Sequence, residues 1–155
     1  MQENLHPITI YTDGAARGNP GPGGLGVVLK YKNIRKEISE GYKLTTNNRM
    51  ELLAVIRGLE ALRWEKADVN IYTDSKYVSE AINQGWLLGW EKTRFKKKKN
   101  PDLWKRFLEL YRAHNVKIFW IKGHNNHPEN EACDKLAVNA SHGDNLPEDS
   151  GYLPE

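Results

Sequence analysis

Two tetrapeptides in this chain are identical. Ile10-Tyr11-Thr12-Asp13 and Ile71-Tyr72-Thr73-Asp74 each end in an aspartate followed by a small residue, Gly14 or Ser75. If the two segments are parallel neighbours in a sheet, both carboxylates emerge at the same carboxyl edge, where open α/β sheets bind ligands. Two anions side by side repel, so the pairing makes sense only with a cation or a proton between them. Taken singly, Asp13 could hold a turn and Asp74 could cap a helix; the repeated context favours the pair. Glu51 stands early in a helical segment and has capping-box spacing with Asn48, so a cap and a ligand are both open readings. Asp134 lies in the last helical segment, one turn on from Asn130 and Glu131, where a plain surface acid is equally ordinary. His124 sits between the last strand and the last helix, and a histidine beside carboxylates suits proton transfer. His124, His127 and Cys133 do not make a zinc site, because no second cluster completes four ligands.

The elements that must position these groups follow from periodicity. Alternation predicts strands over 8–13, 25–31, 37–42, 69–74 and 116–122. The run Gly18-Asn19-Pro20-Gly21-Pro22-Gly23-Gly24 reads as neither helix nor strand interior. Helical spacing of Leu52, Ile56 and Leu59 predicts a helix over 49–64, with Thr46, Asn47 and Asn48 as candidate caps. Further helices are expected from Ser75, over 86–95, from Asn100-Pro101-Asp102 and over 128–139. The first three strands are joined too closely for crossovers and should pair antiparallel, while the last two are reached through helices and should run parallel to the first. The expected fold class is α/β, a mixed five-stranded sheet with helices packed on it. Residues 1–142 read as one domain, and 143–155 as a loose acidic tail.

Composition agrees with a single compact domain: 155 residues, 39% of them hydrophobic, 28% charged. Those figures exclude collagen-like, disordered and disulfide-built chains. One cysteine, no secretory hydrophobic run and no stretch near 18 apolar residues point to a soluble protein of a reducing compartment, the cytoplasm. The net charge of +3 hides an asymmetry. No Lys or Arg follows Lys135, and Asp144, Glu148, Asp149 and Glu155 leave 16 of the 20 acids to face all 23 bases before that point. Lys92, Arg94, Lys96, Lys97, Lys98 and Lys99 then place six positive charges in eight residues. Such a segment is either a solvated loop or the footprint of a polyanion, most commonly nucleic acid.

Four motifs occur in order. They are Asp13-Gly14 with the glycine-proline run, Thr45-Thr46-Asn47-Asn48-Arg49-Met50-Glu51, Tyr72-Thr73-Asp74-Ser75, and Gly123-His124 through Asn130-Glu131 to Asp134. Each alone is weak. Together, over residues 7–142, they resemble type 1 ribonuclease H of the bacterial stand-alone kind. The resemblance implies the ribonuclease H-like fold and a monomeric endonuclease that hydrolyses the RNA strand of RNA–DNA hybrids, leaving 5′-phosphate and 3′-hydroxyl ends. Asp13, Glu51, Asp74 and Asp134 match the family's four metal ligands, and His124 its loop histidine. Hard oxygen donors of this kind suit Mg²⁺, with Mn²⁺ as a substitute, and two such ions would clamp a scissile phosphate.

Asn19, Asn47 and Asn48 match substrate-contact positions, where amides can sense the RNA 2′-hydroxyl. Thr46 with Asn19 resembles a pocket for a DNA-strand phosphate. Trp86 and Trp90, four apart, together with Lys96, Lys97, Lys98 and Lys99, resemble the family's basic protrusion, though core packing of the two tryptophans is also open. Lys76 departs from the pattern, standing where a well-studied member has an uncharged polar residue. Two other readings share some of these features: a binding module without catalysis, and a glycosidase using paired carboxylates. Four acids facing a polyanion disfavour the first, and the basic segment disfavours the second.

Overall fold

The computed structural model describes residues 6–123 and 127–154, so His124 lies outside the described residues. Three strands open the chain, β1 (Ile8–Ala16), β2 (Gly21–Tyr31) and β3 (Ile34–Thr45), followed by helix α1 (Asn47–Glu60). Then come β4 (Asp68–Thr73), α2 (Lys76–Asn83), α3 (Trp86–Lys92), α4 (Pro101–Ala113), β5 (Asn115–Trp120) and α5 (Pro128–Ser141). The sheet order is β3-β2-β1-β4-β5. β1, β2 and β3 pair antiparallel, and β4 and β5 run parallel to β1, so the mixed sheet expected from connection lengths is the one observed. Ile10, Tyr11 and Thr12 lie opposite Ile71, Tyr72 and Thr73, which sets the twin tetrapeptides side by side, residue for residue. Among the described residues, no helix is long and apolar enough to cross a membrane.

One face of the sheet carries the main core. Ile8, Ile10, Leu25, Val27, Val69 and Ile71 are buried with Leu52, Ile56 and Leu59 of α1 and Leu103, Trp104 and Phe107 of α4. The other face of β1, β2 and β3 is crossed by α5, and here the glycines decide the packing. A Cβ on Gly24 would strike the Ala137 carbonyl, one on Gly26 the Cys133 carbonyl, and one on Gly41 the Ala140 carbonyl. The helix therefore lies directly on the strand backbone, and no residue with a side chain would allow it. This corrects the expectation that residues 18–24 avoid regular structure. β2 begins at Gly21, because glycine in a strand here marks a close approach of another backbone rather than a break.

Local capping differs from the sequence reading in two places. Thr46 caps α1, its Oγ1 accepting the Arg49 amide at 3.2 Å. No acid occupies the first turn of α1, so the Asn48–Glu51 capping box is absent and Glu51 is left for other work. Asn100 precedes α4 in the left-handed region, at φ 62°, without a side-chain cap. Its amide instead donates to the Tyr77 hydroxyl at 3.0 Å, and its Oδ1 accepts from Arg49 at 3.2 Å.

Residues 142–154 carry no helix or strand, but they are tied down. The Lys43 amide donates to the Pro147 carbonyl at 2.8 Å. Asp149 enters a buried ion pair with Arg49, Nε to Oδ2 at 2.7 Å, and also accepts from Thr45 Oγ1 at 2.7 Å. Arg49 reaches Asp102 of α4 as well, at 2.7 Å, while its side chain is only 2% exposed. Burial works against its charge, but the carboxylates of Asp102 and Asp149 outweigh that and hold the guanidinium above its usual range. Truncating Asp149 removes the better buried of the two carboxylates on Arg49, leaving the guanidinium with the half-exposed Asp102 alone and the Thr45 hydroxyl without its partner. Asp149→Ala should therefore lower the unfolding free energy by on the order of 3 kcal/mol in a urea titration; a loss below about 0.5 kcal/mol, the ordinary size for a surface substitution, would show that the tail adds nothing.

Candidate active site

Asp13 is buried in β1, and Asp74 follows the last residue of β4, so the parallel pairing brings both to one sheet edge. Glu51 joins them from α1. Gly14 makes this approach possible: a Cβ there would collide with the backbone of Met50 and Glu51. Oxygens of Asp13, Glu51 and Asp74 all lie within 4.8 Å of one another, the one such group among the described residues. Asp134 stands outside that group, on α5, but Cys133 beside it rests on Gly26, the residue paired with Asp13. The Asp134 charge reaches Asp13, contributing to the upward push on that carboxyl.

The cluster is electrostatically unsatisfied. Burial, then the charge of Asp74, push the Asp13 carboxyl from its ordinary value of 3.8 up to about 7, against the opposing hydrogen bonds with Glu51 and from the Gly14 amide, the latter at 2.8 Å. Burial, then Asp13 and Asp74, raise Glu51 well above the usual carboxylate range. Glu51 Oε1 is buried without a hydrogen-bond partner. Cys133 plays no ligand role: it is fully buried and burial pushes its thiol up, which makes it inert packing.

Sequence reasoning passed over three residues that shape this site. Gly14 admits Glu51, and Gly123 admits Asp74, whose Oδ2 would sit 2.7 Å from a Cβ at that position. Trp120 donates its Nε1–H to the Asp74 carbonyl at 3.0 Å. The Asp-Gly and Gly-His dipeptides hinted at the glycines. Nothing in the sequence marks Trp120, because its partner is set by the β4–β5 register.

With this geometry in view, the chain can be set beside known proteins. The model of the RNase H family matches residues 6–142. The chain belongs to the RNase H family. The ribonuclease H of Desulforamulus reducens is 58% identical over 151 residues, 94% of each chain. That of Trichodesmium erythraeum is 52% identical over 157 residues, covering 98% of this chain and 99% of the relative. Among solved structures, LC9-RNase H1, a type 1 RNase H with the type 2 active-site motif, superposes with a TM-score of 0.82 at 28% identity, covering 98% of this chain and 79% of that one. LC11-RNase H1 in complex with an RNA/DNA hybrid superposes with a TM-score of 0.65 at 28% identity, covering 86% and 95%. As a member of the RNase H family, the chain is a hydrolase, a metal-dependent endoribonuclease acting on RNA–DNA hybrids.

The remaining residues suggested by the RNase H resemblance fall into two groups. Asn19, Thr46, Asn47 and Asn48 gather where the turn after β1 meets the start of α1. The Asn47 amide donates to Asn19 Oδ1 at 3.0 Å, and Asn47 Oδ1 accepts the Ala16 amide at 2.7 Å. Asn19 and Asn47 therefore do turn and cap chemistry, and Asn19, Asn47 and Asn48 all remain exposed. The second group is α3 and the segment after it, with Lys76 of α2 standing apart from both. Arg94, Phe95, Lys97 and Asn100 all have positive φ, so the helix expected over 86–95 stops at Lys92 and the chain coils outward. Phe95 is buried as an anchor, and Lys96, Lys97, Lys98 and Lys99 are exposed. The two tryptophans part company. Trp90 packs edge-on against Trp104 with Lys98 over its ring, whereas Trp86 is 48% exposed. Lys76 is exposed beside Asp74, 5.1 Å from the centre of the Trp120 ring.

The donor set fits a hard divalent cation. It offers carboxylate oxygens only, one of them a buried orphan, and the raised carboxyls mark a site short of positive charge. The same shortage sets the pH behaviour of the metal-free protein. Asp13 holds its proton in the folded state between about pH 4 and pH 7, where the unfolded chain has lost it, so stability falls as pH rises through that window. Asp13→Asn removes the penalty and keeps the oxygen that accepts from Gly14. In EDTA, its Tm should exceed the parent's at pH 8, by roughly 2–4 °C for each kcal/mol relieved, with the gap closing towards pH 4. A gap independent of pH would mean that Asp13 ionises normally.

Proposed function

We propose that the chain hydrolyses the RNA strand of RNA–DNA hybrids with two Mg²⁺ ions, Mn²⁺ serving as a substitute, and leaves 5′-phosphate and 3′-hydroxyl ends. The observation that carries this reading is the convergence of Asp13, Glu51 and Asp74 within 4.8 Å. These three, with Asp134 arriving on α5, would hold the ions. When bound, such ions supply an activated water and stabilise the leaving oxygen.

The protein's own groups do the rest. Gly14 and Gly123 keep the carboxylates close enough to share a cation, and the Asp13 hydrogen bond to the Gly14 amide fixes one carboxylate direction. His124 would carry a proton to or from the reacting phosphate. The exposed amides of Asn19, Asn47 and Asn48 can bond a 2′-hydroxyl, which is both donor and acceptor, and so distinguish RNA from DNA. Thr46 with Asn19 would receive a phosphate of the DNA strand. Trp86 would lie along deoxyribose with Trp90 bracing it from the core, and Lys76 and Lys96–Lys99 would neutralise phosphates. We place the catalytic domain at residues 1–142, with 143–155 as an acidic extension, acting as a monomer in the cytoplasm.

A gel assay on RNA–DNA hybrid, duplex RNA, single-stranded RNA and duplex DNA tests the reading. Cutting of the hybrid's RNA alone, with Mg²⁺ and not with EDTA, and its loss in Asp13→Asn with hybrid binding retained, is the expected result. Tight hybrid binding without cutting would mean a binding module. Changing Lys97, Lys98 and Lys99 to Ala should weaken hybrid binding and reduce its dependence on log salt by roughly 2–3. An unchanged slope would remove these lysines from the interface.

A further inference from the structure

The peptide joining Asp74 to Ser75 is held at both ends. Its N–H, from Ser75, donates to Thr73 Oγ1 at 3.0 Å. Its carbonyl, from Asp74, accepts the indole N–H of Trp120 at 3.0 Å. Neither ladder nor helix provides for this carbonyl: the Ile121 amide bonds Thr73 O, and the first backbone bond of α2 runs from Ser79 to Ser75 O. Displacement of this peptide would shift the Cα of Asp74 and carry its carboxylate away from Asp13 and Glu51. The Trp120 ring has a second neighbour, the Lys76 ammonium at 5.1 Å from its centre. Lys76 lies two residues from Asp74, and its flexible stem could otherwise deliver a competing cation to the carboxylates. Tryptophan offers the strongest aromatic seat for such a charge.

We propose that Trp120 is a positioning residue for metal binding: its indole N–H fixes the peptide that carries Asp74, and its ring seats Lys76 away from the carboxylates. This rests on the reading of Asp13, Glu51 and Asp74 as metal ligands. Trp120 is 45% exposed on the edge strand, so replacing it opens no core cavity. A group that orients a ligand in this way typically commands about 10- to 100-fold in metal affinity.

The test is Mn²⁺ binding to the substrate-free protein, read from the paramagnetic resonance of free Mn²⁺. Trp120→Phe keeps a ring for Lys76 and loses the N–H; it should weaken binding about 10-fold with little change in Tm. Trp120→Leu loses both and should be weaker by a further factor of roughly two to five, which Lys76→Gln in the same chain restores. Parent-like affinity in Trp120→Phe, or no recovery on adding Lys76→Gln to Trp120→Leu, overturns the proposal. If Trp120→Phe does not fold, Thr73→Val frees the other end of the same peptide and is read by the same criterion. Asp13→Asn separates the two layers. If it also binds Mn²⁺ like the parent, the metal reading itself fails; if it loses binding while Trp120→Phe does not, only the positioning role fails.

Discussion

Mutual repulsion among three carboxylates is the constraint around which this molecule is organised. Asp13, Glu51 and Asp74 would separate if their backbones were free to move, and burial makes the charge of Asp13 and Glu51 costlier still. They stay together because each is anchored in a different rigid element: a central strand, a helix packed on that strand, and the end of the neighbouring strand. The folded state therefore stores unfavourable electrostatics at this edge of the sheet. Such stored cost is what gives a site its affinity for a cation, and the surrounding structure must outweigh it.

Close backbone approach is how it does so. Gly14 lets α1 reach the end of β1, and Gly24, Gly26 and Gly41 let α5 lie on the sheet with no side-chain layer between. Each contact brings an acid nearer to Asp13: Glu51 through the first, Asp134 through the second. A methyl group at any of these positions would force the packed elements apart and move the acids they carry. The carboxyl-terminal segment works on the same region from outside. Through Asp149 it neutralises Arg49, two residues before Glu51, and through Arg49 it links the starts of α1 and α4.

Charge is partitioned across the molecule in keeping with this. The clustered acids Asp13, Glu51 and Asp74 converge at the sheet edge. The lysines after α3 are turned outward on a coil anchored by Phe95, with Trp90 tied to the core and Trp86 left open. Positive and negative charge are thereby kept in separate regions of the surface.

Strand and helix order, the mixed sheet and the placing of Asp13 beside Asp74 are legible in the sequence, because they depend on local periodicity and on the repeated Ile-Tyr-Thr-Asp motif, whereas Glu51 and Asp134 are singled out only by the resemblance to RNase H. The start of β2 inside the glycine-rich run and the end of α3 depart from the local pattern, and the choice of Thr46 as the α1 cap and the docking of the last residues are not legible in it. Those are decided by tertiary contacts: which backbone lies against Gly26, which carboxylate Arg49 meets, where Phe95 is buried. The bond from Trp120 to Asp74 belongs with them. Residues 46 apart in the chain meet only through the β4–β5 register, and no one-dimensional pattern carries a register between strands.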